Sequence, residues 1–187
     1  HNALDENINI ENLKFNPHKL DYIYNNIKEI KSQRPETPLI GFCGGPLTTF
    51  LFMFRRNELN KDFNYVIKLF YKERKKCIKI LEMITEASIE YVNKQVDCGI
   101  DCFQLFETYC GIIPEQLYTE LILPYSKKIL NVAMNKNCKT IFFPKNYNLG
   151  LKQLNKDICD IASVDWQIPI ETARTLLNSD CLLYTSP

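Results

Sequence analysis

The chain has 187 residues, 45% of them hydrophobic and 24% charged, with a formal net charge of +1. That length suffices for one domain with a sizeable core, in the composition range of soluble globular proteins. The charge balance leaves no electrostatic footprint for nucleic acid or an anionic membrane, and no apolar run approaches the ~20 residues of a membrane span.

No signal peptide is visible. Eight cysteines are scattered through the chain, none in a Cys-x-x-Cys pair and none with a histidine at ligand spacing. A metal site is therefore not expected, and the compartment is read as reducing. The chain starts without methionine and ends in Tyr-Thr-Ser-Pro with no helix stop before it. Both ends read as cut, so residues 1–187 are expected to be one domain from a longer protein.

Asn16-Pro17 opens a helical stretch, with Asn16 as N-cap and Pro17 at the first helical position. Leu20, Ile23, Tyr24, Ile27 and Ile30 make its apolar face, and Arg34-Pro35 ends it. Pro38-Leu-Ile-Gly-Phe-Cys-Gly-Gly-Pro46 reads as a short strand ending in a glycine turn. Gly44-Gly45 there allows φ > 0 or a close approach of backbone to ligand. The turn lacks the following Lys-Ser/Thr or Gly-x-Gly-x-x-Gly of phosphate loops and is best read as a tight strand-to-helix turn.

From Lys61 to about Val96 the pattern is a long helix or a broken pair. Phe63, Val66, Ile67, Phe70, Cys77, Leu81, Ile84 and Val92 form the buried stripe, and Lys72-Glu-Arg-Lys-Lys76 the solvated face. Gly99 fits the helix stop. Cys102–Phe106 then reads as a strand, apolar but for Gln104, covered on both faces as in a parallel sheet. Glu107, Thr108 and Tyr109 follow at its carboxyl end, where ligands bind in barrels and open α/β sheets.

Pro114 starts a further helix that Pro124 should kink or split. Thr140–Pro144 is a second β-branched and aromatic strand. A short helix near Leu149–Lys156 comes next, then a strand at Ile161–Val164 leading into Asp165-Trp166, then a helix at Pro169–Leu176. The alternation of helices and strands indicates α/β architecture with parallel strands. Polar groups after the strands, namely Gly44-Gly45, Glu107-Thr108, Lys145-Asn146 and Asp165-Trp166, would then share one rim. Periodicity leaves two architectures open, part of a (β/α)8 barrel or a doubly wound sheet.

Five ordered blocks resemble the uroporphyrinogen decarboxylase family. They are Pro38-Leu-Ile-Gly-Phe-Cys-Gly-Gly-Pro46, Gln104-Leu-Phe-Glu-Thr108 with Gly111, Leu123-Pro-Tyr125, Val164-Asp-Trp166, and Asn178-Ser-Asp180 with Leu183-Tyr184. The resemblance implies a (β/α)8 barrel, here an incomplete one of about four or five β/α units. It implies cofactor-independent decarboxylation of the four acetate side chains of uroporphyrinogen to give coproporphyrinogen. It also implies a tetrapyrrole substrate, a homodimer, and a cytoplasmic or plastid location.

On the same resemblance, Phe106 falls where the family packs an aromatic residue on the macrocycle. Thr108 falls where it has a substrate-contacting serine, and keeps the hydroxyl. Gly44 matches the glycine that lets the macrocycle approach the backbone. Phe52 stands in place of a tyrosine that hydrogen-bonds in the site, so that bond is lost. Ser179 and Cys181 replace the usual leucine and proline of the last block. The family's arginine-rich amino-terminal motif, the aspartate that grips the pyrrole N–H groups and the carboxy-terminal histidine have no counterpart here. None of Arg34, Arg55, Arg56, Arg74 or Arg174 sits in such a motif. The catalytic residues are therefore expected to lie outside this chain. Two other readings compete: a zinc-dependent corrinoid or folate methyltransferase with the same barrel, and a non-catalytic paralogue.

Overall fold

The computed structural model describes residues 9–54, 63–177 and 182–185. The block at Asn178–Asp180, Cys181, and the arginines Arg55 and Arg56 lie outside the described residues. The Asn16 side chain accepts the His18 N–H at 3.1 Å, and Pro17–Leu20 forms a single 3-10 turn leading into helix α1, Asp21–Gln33. Tyr24 and Ile27 are buried, whereas Ile30 turns to solvent. The helix ends at Arg34, one residue before Pro35.

Strand β1, Ile40–Gly44, runs into helix α2, Pro46–Phe54. Helix α2 has no polar stripe to mark its period: Leu47, Phe50, Leu51 and Phe54 are buried on one face, and the other face carries Phe52, exposed, and Met53, half-buried, which are apolar as well. The long helical region is a pair, α3 (Asn64–Lys72) and α4 (Arg74–Asp97), broken at Glu73, whose φ of −123° and ψ of 42° leave the helical region. Residues 72 to 75 of the charge run are exposed around this break. Gly99 follows α4 with φ +93°, a conformation that side chains other than glycine's make costly.

Strand β2 is Cys102–Glu107. After it, α5 (Glu115–Leu117) passes through a π-helical turn at Tyr118–Ile122 into α6, Leu123–Met134. Pro124 sits at the start of α6, where its missing N–H costs nothing, and the wide turn takes up the change of path. Strand β3 (Lys139–Pro144), a 3-10 segment (Asn148–Gln153), strand β4 (Ile161–Val164), helix α7 (Ile170–Leu176) and strand β5 (Leu182–Thr185) complete the order. Neither α2 nor β5 stands out in the sequence.

The strands form one parallel sheet in the order β1-β2-β3-β4-β5. Consecutive strands are neighbours throughout, without the reversal of order that marks a doubly wound sheet. The winding is that of a (β/α)8 barrel, of which these are five successive strands. All the strands point the same way, so the residues following them share one rim.

The two faces of the sheet differ. Phe103 and Leu105 of β2, Phe142 of β3 and Ala162 of β4 are fully buried beneath the helical layer, in which α4 packs on α2 and α6. On the opposite face Ile40 and Phe42 are 51% and 60% exposed, and Cys102, Gln104 and Phe106 only half-buried. The expectation that Cys102–Phe106 is covered on both faces is thus corrected. Its burial alternates, because the face that is the interior of a barrel lies open here.

Candidate functional site at the carboxyl ends of the strands

The open face carries a row of aromatic rings. Phe42, Phe106 and Phe143 project from β1, β2 and β3. Phe106 meets each of the other two rings edge to face with centroids 6.0 Å apart. Gly44 is in register with Phe106, so the ring stands beside a position with no side chain. The Gly45 N–H donates to the Phe106 carbonyl at 2.8 Å, which carries the β1–β2 ladder one step past the strand end. Thr108, two residues beyond Phe106, is half-buried in the turn after β2. Its neighbour Tyr109 donates its N–H to Thr48 Oγ1 at 3.3 Å, so this backbone contact is held from α2 by Thr48.

Phe52 lies on α2, 49% exposed, and packs edge-on against Tyr109 with centroids 5.6 Å apart. Gly44, Phe106 and Thr108 therefore sit on two adjacent strand ends. Phe52 joins them from α2 through Tyr109.

Asp165 acts differently from a rim ligand. Its carboxylate accepts the Asn146 N–H at 2.7 Å and the Gln167 N–H at 2.8 Å. It ties the turn after β3 to the end of β4, and neighbouring Trp166 is 79% exposed.

Glu107, expected among the polar groups of the rim, is instead the last residue of β2 and is buried on its helical side. Period-2 alternation carries Phe103, Leu105 and Glu107 to the same face, so its carboxylate enters the helical layer and is fully buried. It accepts the Thr48 N–H and the Thr48 hydroxyl, each at 2.6 Å, and the Leu47 N–H at 3.2 Å; the Tyr118 hydroxyl lies at 3.5 Å. Those N–H groups belong to the first turn of α2, which has no carbonyl partners for them. The reason for Gly45 is also here. A Cβ at that position would overlap the Glu107 carboxylate. Neither Gly44 nor Gly45 has positive φ, so of the two expected reasons for these glycines, φ > 0 or close approach to a ligand, neither explains Gly45, which makes room for a side chain of the protein itself. The only signal available in the sequence was an acidic residue continuing an alternating buried run.

Burial pushes the Glu107 carboxyl up from 4.5 to about 7, while the bonds from Thr48, Leu47 and Tyr118 pull the other way. A carboxyl raised in the folded state contributes stability that is fully present below its unfolded value and is lost as pH rises through the folded one. Relative to a non-titrating Glu107→Gln variant, wild-type Tm should therefore fall as pH rises from 4.5 to about 7. Tm measured against pH for both proteins checks this, and a wild-type gain over that range would mean the carboxylate is ionised throughout.

Among the described residues no group of three or more His, Cys, Asp or Glu is placed to hold a metal ion, and no helix is long and apolar enough to cross a membrane.

A family model described as Uroporphyrinogen decarboxylase (URO-D) matches residues 2–183. The uroporphyrinogen decarboxylase of Wigglesworthia glossinidia brevipalpis is 33% identical over 181 residues, covering 92% of this chain and 48% of that protein. The uroporphyrinogen decarboxylase of Francisella tularensis subsp. novicida (strain U112) is 32% identical over 156 residues, covering 83% of this chain and 45% of that protein. The chain thus spans about half the length of the curated relatives it matches. Among solved structures, a methyltransferase from Methanosarcina mazei superposes with a TM-score of 0.73 at 19% identity, covering 88% of this chain and 48% of that one. At that identity the likeness is one of fold.

Proposed function

Because the chain belongs to the uroporphyrinogen decarboxylase family, we propose that the complete protein decarboxylates the four acetate side chains of uroporphyrinogen to give coproporphyrinogen, in porphyrin and haem synthesis. The observation that carries the reading is the family match across residues 2–183. The open aromatic row beside Gly44 supports it, being an apolar surface toward the carboxyl ends of the strands against which a macrocycle can lie.

In this reading the substrate supplies its own electron sink. A proton adds to a pyrrole carbon, and the bond between the acetate methylene and its carboxylate breaks. That electron pair moves toward the cationic ring as carbon dioxide leaves, protonation of the resulting exocyclic methylene gives the methyl group, and loss of the proton first added to the ring carbon restores the neutral pyrrole. The residues of this chain bind and orient the substrate. Phe106, with Phe42 and Phe143, packs on the macrocycle, Gly44 lets it approach the backbone, and the Thr108 hydroxyl donates to a carboxylate. Phe52 adds apolar surface without a hydrogen bond. An apolar wall holds water away from a carboxylate that is about to become neutral carbon dioxide. Residues 1–187 form the central part of the barrel in this proposal, with the arginines and the acid that complete the cleft supplied by the rest of the polypeptide. The proposal extends to a homodimer in the cytosol or a plastid, with no nucleic-acid partner.

The test is conversion of uroporphyrinogen by the complete polypeptide under anaerobic conditions, with coproporphyrinogen quantified after oxidation to the porphyrin. Absence of product would overturn the reading. Thr108→Val keeps the shape and removes the hydroxyl. Losing one hydrogen bond to a charged partner costs about 1.5–3 kcal/mol, so kcat/KM should fall roughly tenfold to a hundredfold. Thr108→Ser should stay near wild type. An unchanged kcat/KM with a lowered Tm in the valine variant would give Thr108 a purely structural role.

A further inference from the structure

The buried group that the proposed mechanism leaves unused is Glu107. Its carboxylate stands where three segments meet: the end of β1 at Gly44-Gly45, the first turn of α2 at Leu47 and Thr48, and the end of β2, which carries Glu107 itself. The bonds from Leu47 and Thr48 fix the start of α2. Thr48 Oγ1 also receives the Tyr109 N–H, and Tyr109 packs on Phe52. On the far side the Tyr118 hydroxyl approaches both Glu107, at 3.5 Å, and Ser126 Oγ, at 3.2 Å, which links the cluster to α6.

We infer that Glu107 is a positioning residue of the cleft, a single carboxylate that holds the start of α2, and with it Gly44 and Phe52, against the strand end bearing Phe106 and Thr108. The inference rests on the reading of that cleft as the tetrapyrrole site. The seating of α2 carries Phe52 directly and is coupled to the end of β1, because one residue separates Gly44 from the helix.

The titratable groups facing the carboxylate among the described residues are Cys43 from β1, Cys110 from the turn after β2 and Tyr118 from the π-helical turn, and burial holds each of them in its neutral form. No cation from these elements shares the cluster. The clamp consists of hydrogen bonds and the positive end of α2, which favour the ionised carboxylate against the burial that opposes it.

The experiment uses the complete polypeptide as wild type, Glu107→Gln and Glu107→Asp. Glutamine keeps the volume but sets an NH2 group opposite the Leu47 N–H. Expected for Gln are a fall in kcat/KM of tenfold or more, absence of the near-neutral ionisation expected in the wild-type kcat/KM profile, and faster amide exchange at Leu47 and Thr48 with no change at Phe103 and Leu105. Aspartate, which keeps the charge, should restore part of the activity and the ionisation. A Gln variant with wild-type kinetics, pH profile and exchange would overturn the inference. So would uniform acceleration of exchange across the core, which marks a merely structural role. Should Gln fail to fold, Thr48→Val removes one of the carboxylate's bonds, and the same exchange pattern at Leu47 is required of it. Should wild type itself not turn over uroporphyrinogen, the functional reading falls, while exchange at Leu47 and Thr48 still decides whether Glu107 holds α2.

Discussion

Gly45→Ala should destabilise the chain by on the order of 3–5 kcal/mol. Overpacking of a close-packed site costs about 1–3 kcal/mol, and displacing a buried carboxylate from its donors adds about 1.5–3 kcal/mol. A single methyl has this effect because its Cβ would overlap the Glu107 carboxylate, which is itself fully buried and pinned by Thr48 and Leu47. The adjacent Gly44→Ala is the control. Its Cβ meets only the Thr49 hydroxyl, at 3.1 Å, the end of a side chain that can rotate. Urea denaturation of the two variants should show a large loss for position 45 and a small one for position 44. A double-mutant cycle sharpens the test. In a Glu107→Ala background the Gly45→Ala cost should shrink strongly, since the clashing atoms are gone. Equal costs in both backgrounds would show that the glycine is needed for some reason other than the carboxylate.

Phe103→Ala should lose about 3–5 kcal/mol, whereas Phe42→Ala should lose no more than about 1.5 kcal/mol. Both are phenylalanines on neighbouring parallel strands, and composition does not separate them. Phe103 is fully buried beneath the helical layer, and its removal leaves a cavity that the packed helices cannot collapse into. Phe42 is 60% exposed on the open face, and its contact with Phe106 is one edge-to-face pair. At about 2–4 °C per kcal/mol for a chain of this size, the alanine at position 103 should lower Tm by on the order of 10 °C, the one at position 42 by a few degrees. A comparable loss at both positions would mean that the face bearing Phe42 is packed as tightly as the other. For turnover the order should reverse in the complete protein, because the proposed cleft needs Phe42 and Phe106 as its wall and uses Phe103 only as support.

Local chemistry accounts for much of what was legible in the residues. Asn16-Pro17 starts a helical segment because an amide side chain can accept the first free N–H and a proline needs none of its own. Gly99 ends α4 because the backbone turns through positive φ there. Ile161–Val164 is a strand at both of its expected ends. Pro124 divides α6 from what precedes it. The parallel α/β class follows from the alternation of such elements, and the five blocks pointed to the family that the comparison then showed.

What the residues could not decide are matters of neighbours distant in sequence. Periodicity is equally consistent with a barrel and a doubly wound sheet, and only the pairing order β1-β2-β3-β4-β5 separates them. Helix α2 is apolar on several sides, so it has no amphipathic signature, and its start is set by a carboxylate about sixty residues later in the chain. Glu107 looks like any polar residue after a strand until alternation and the helical layer place it in the core. Gly45 looks like a turn glycine until that carboxylate occupies the space of its Cβ. Pattern along the chain reports which groups each segment must bury. Which groups meet, and so which carboxylate loses its water and which face of the sheet stays open, is set by tertiary packing, because desolvation and steric overlap depend on distance in space and not on spacing in sequence.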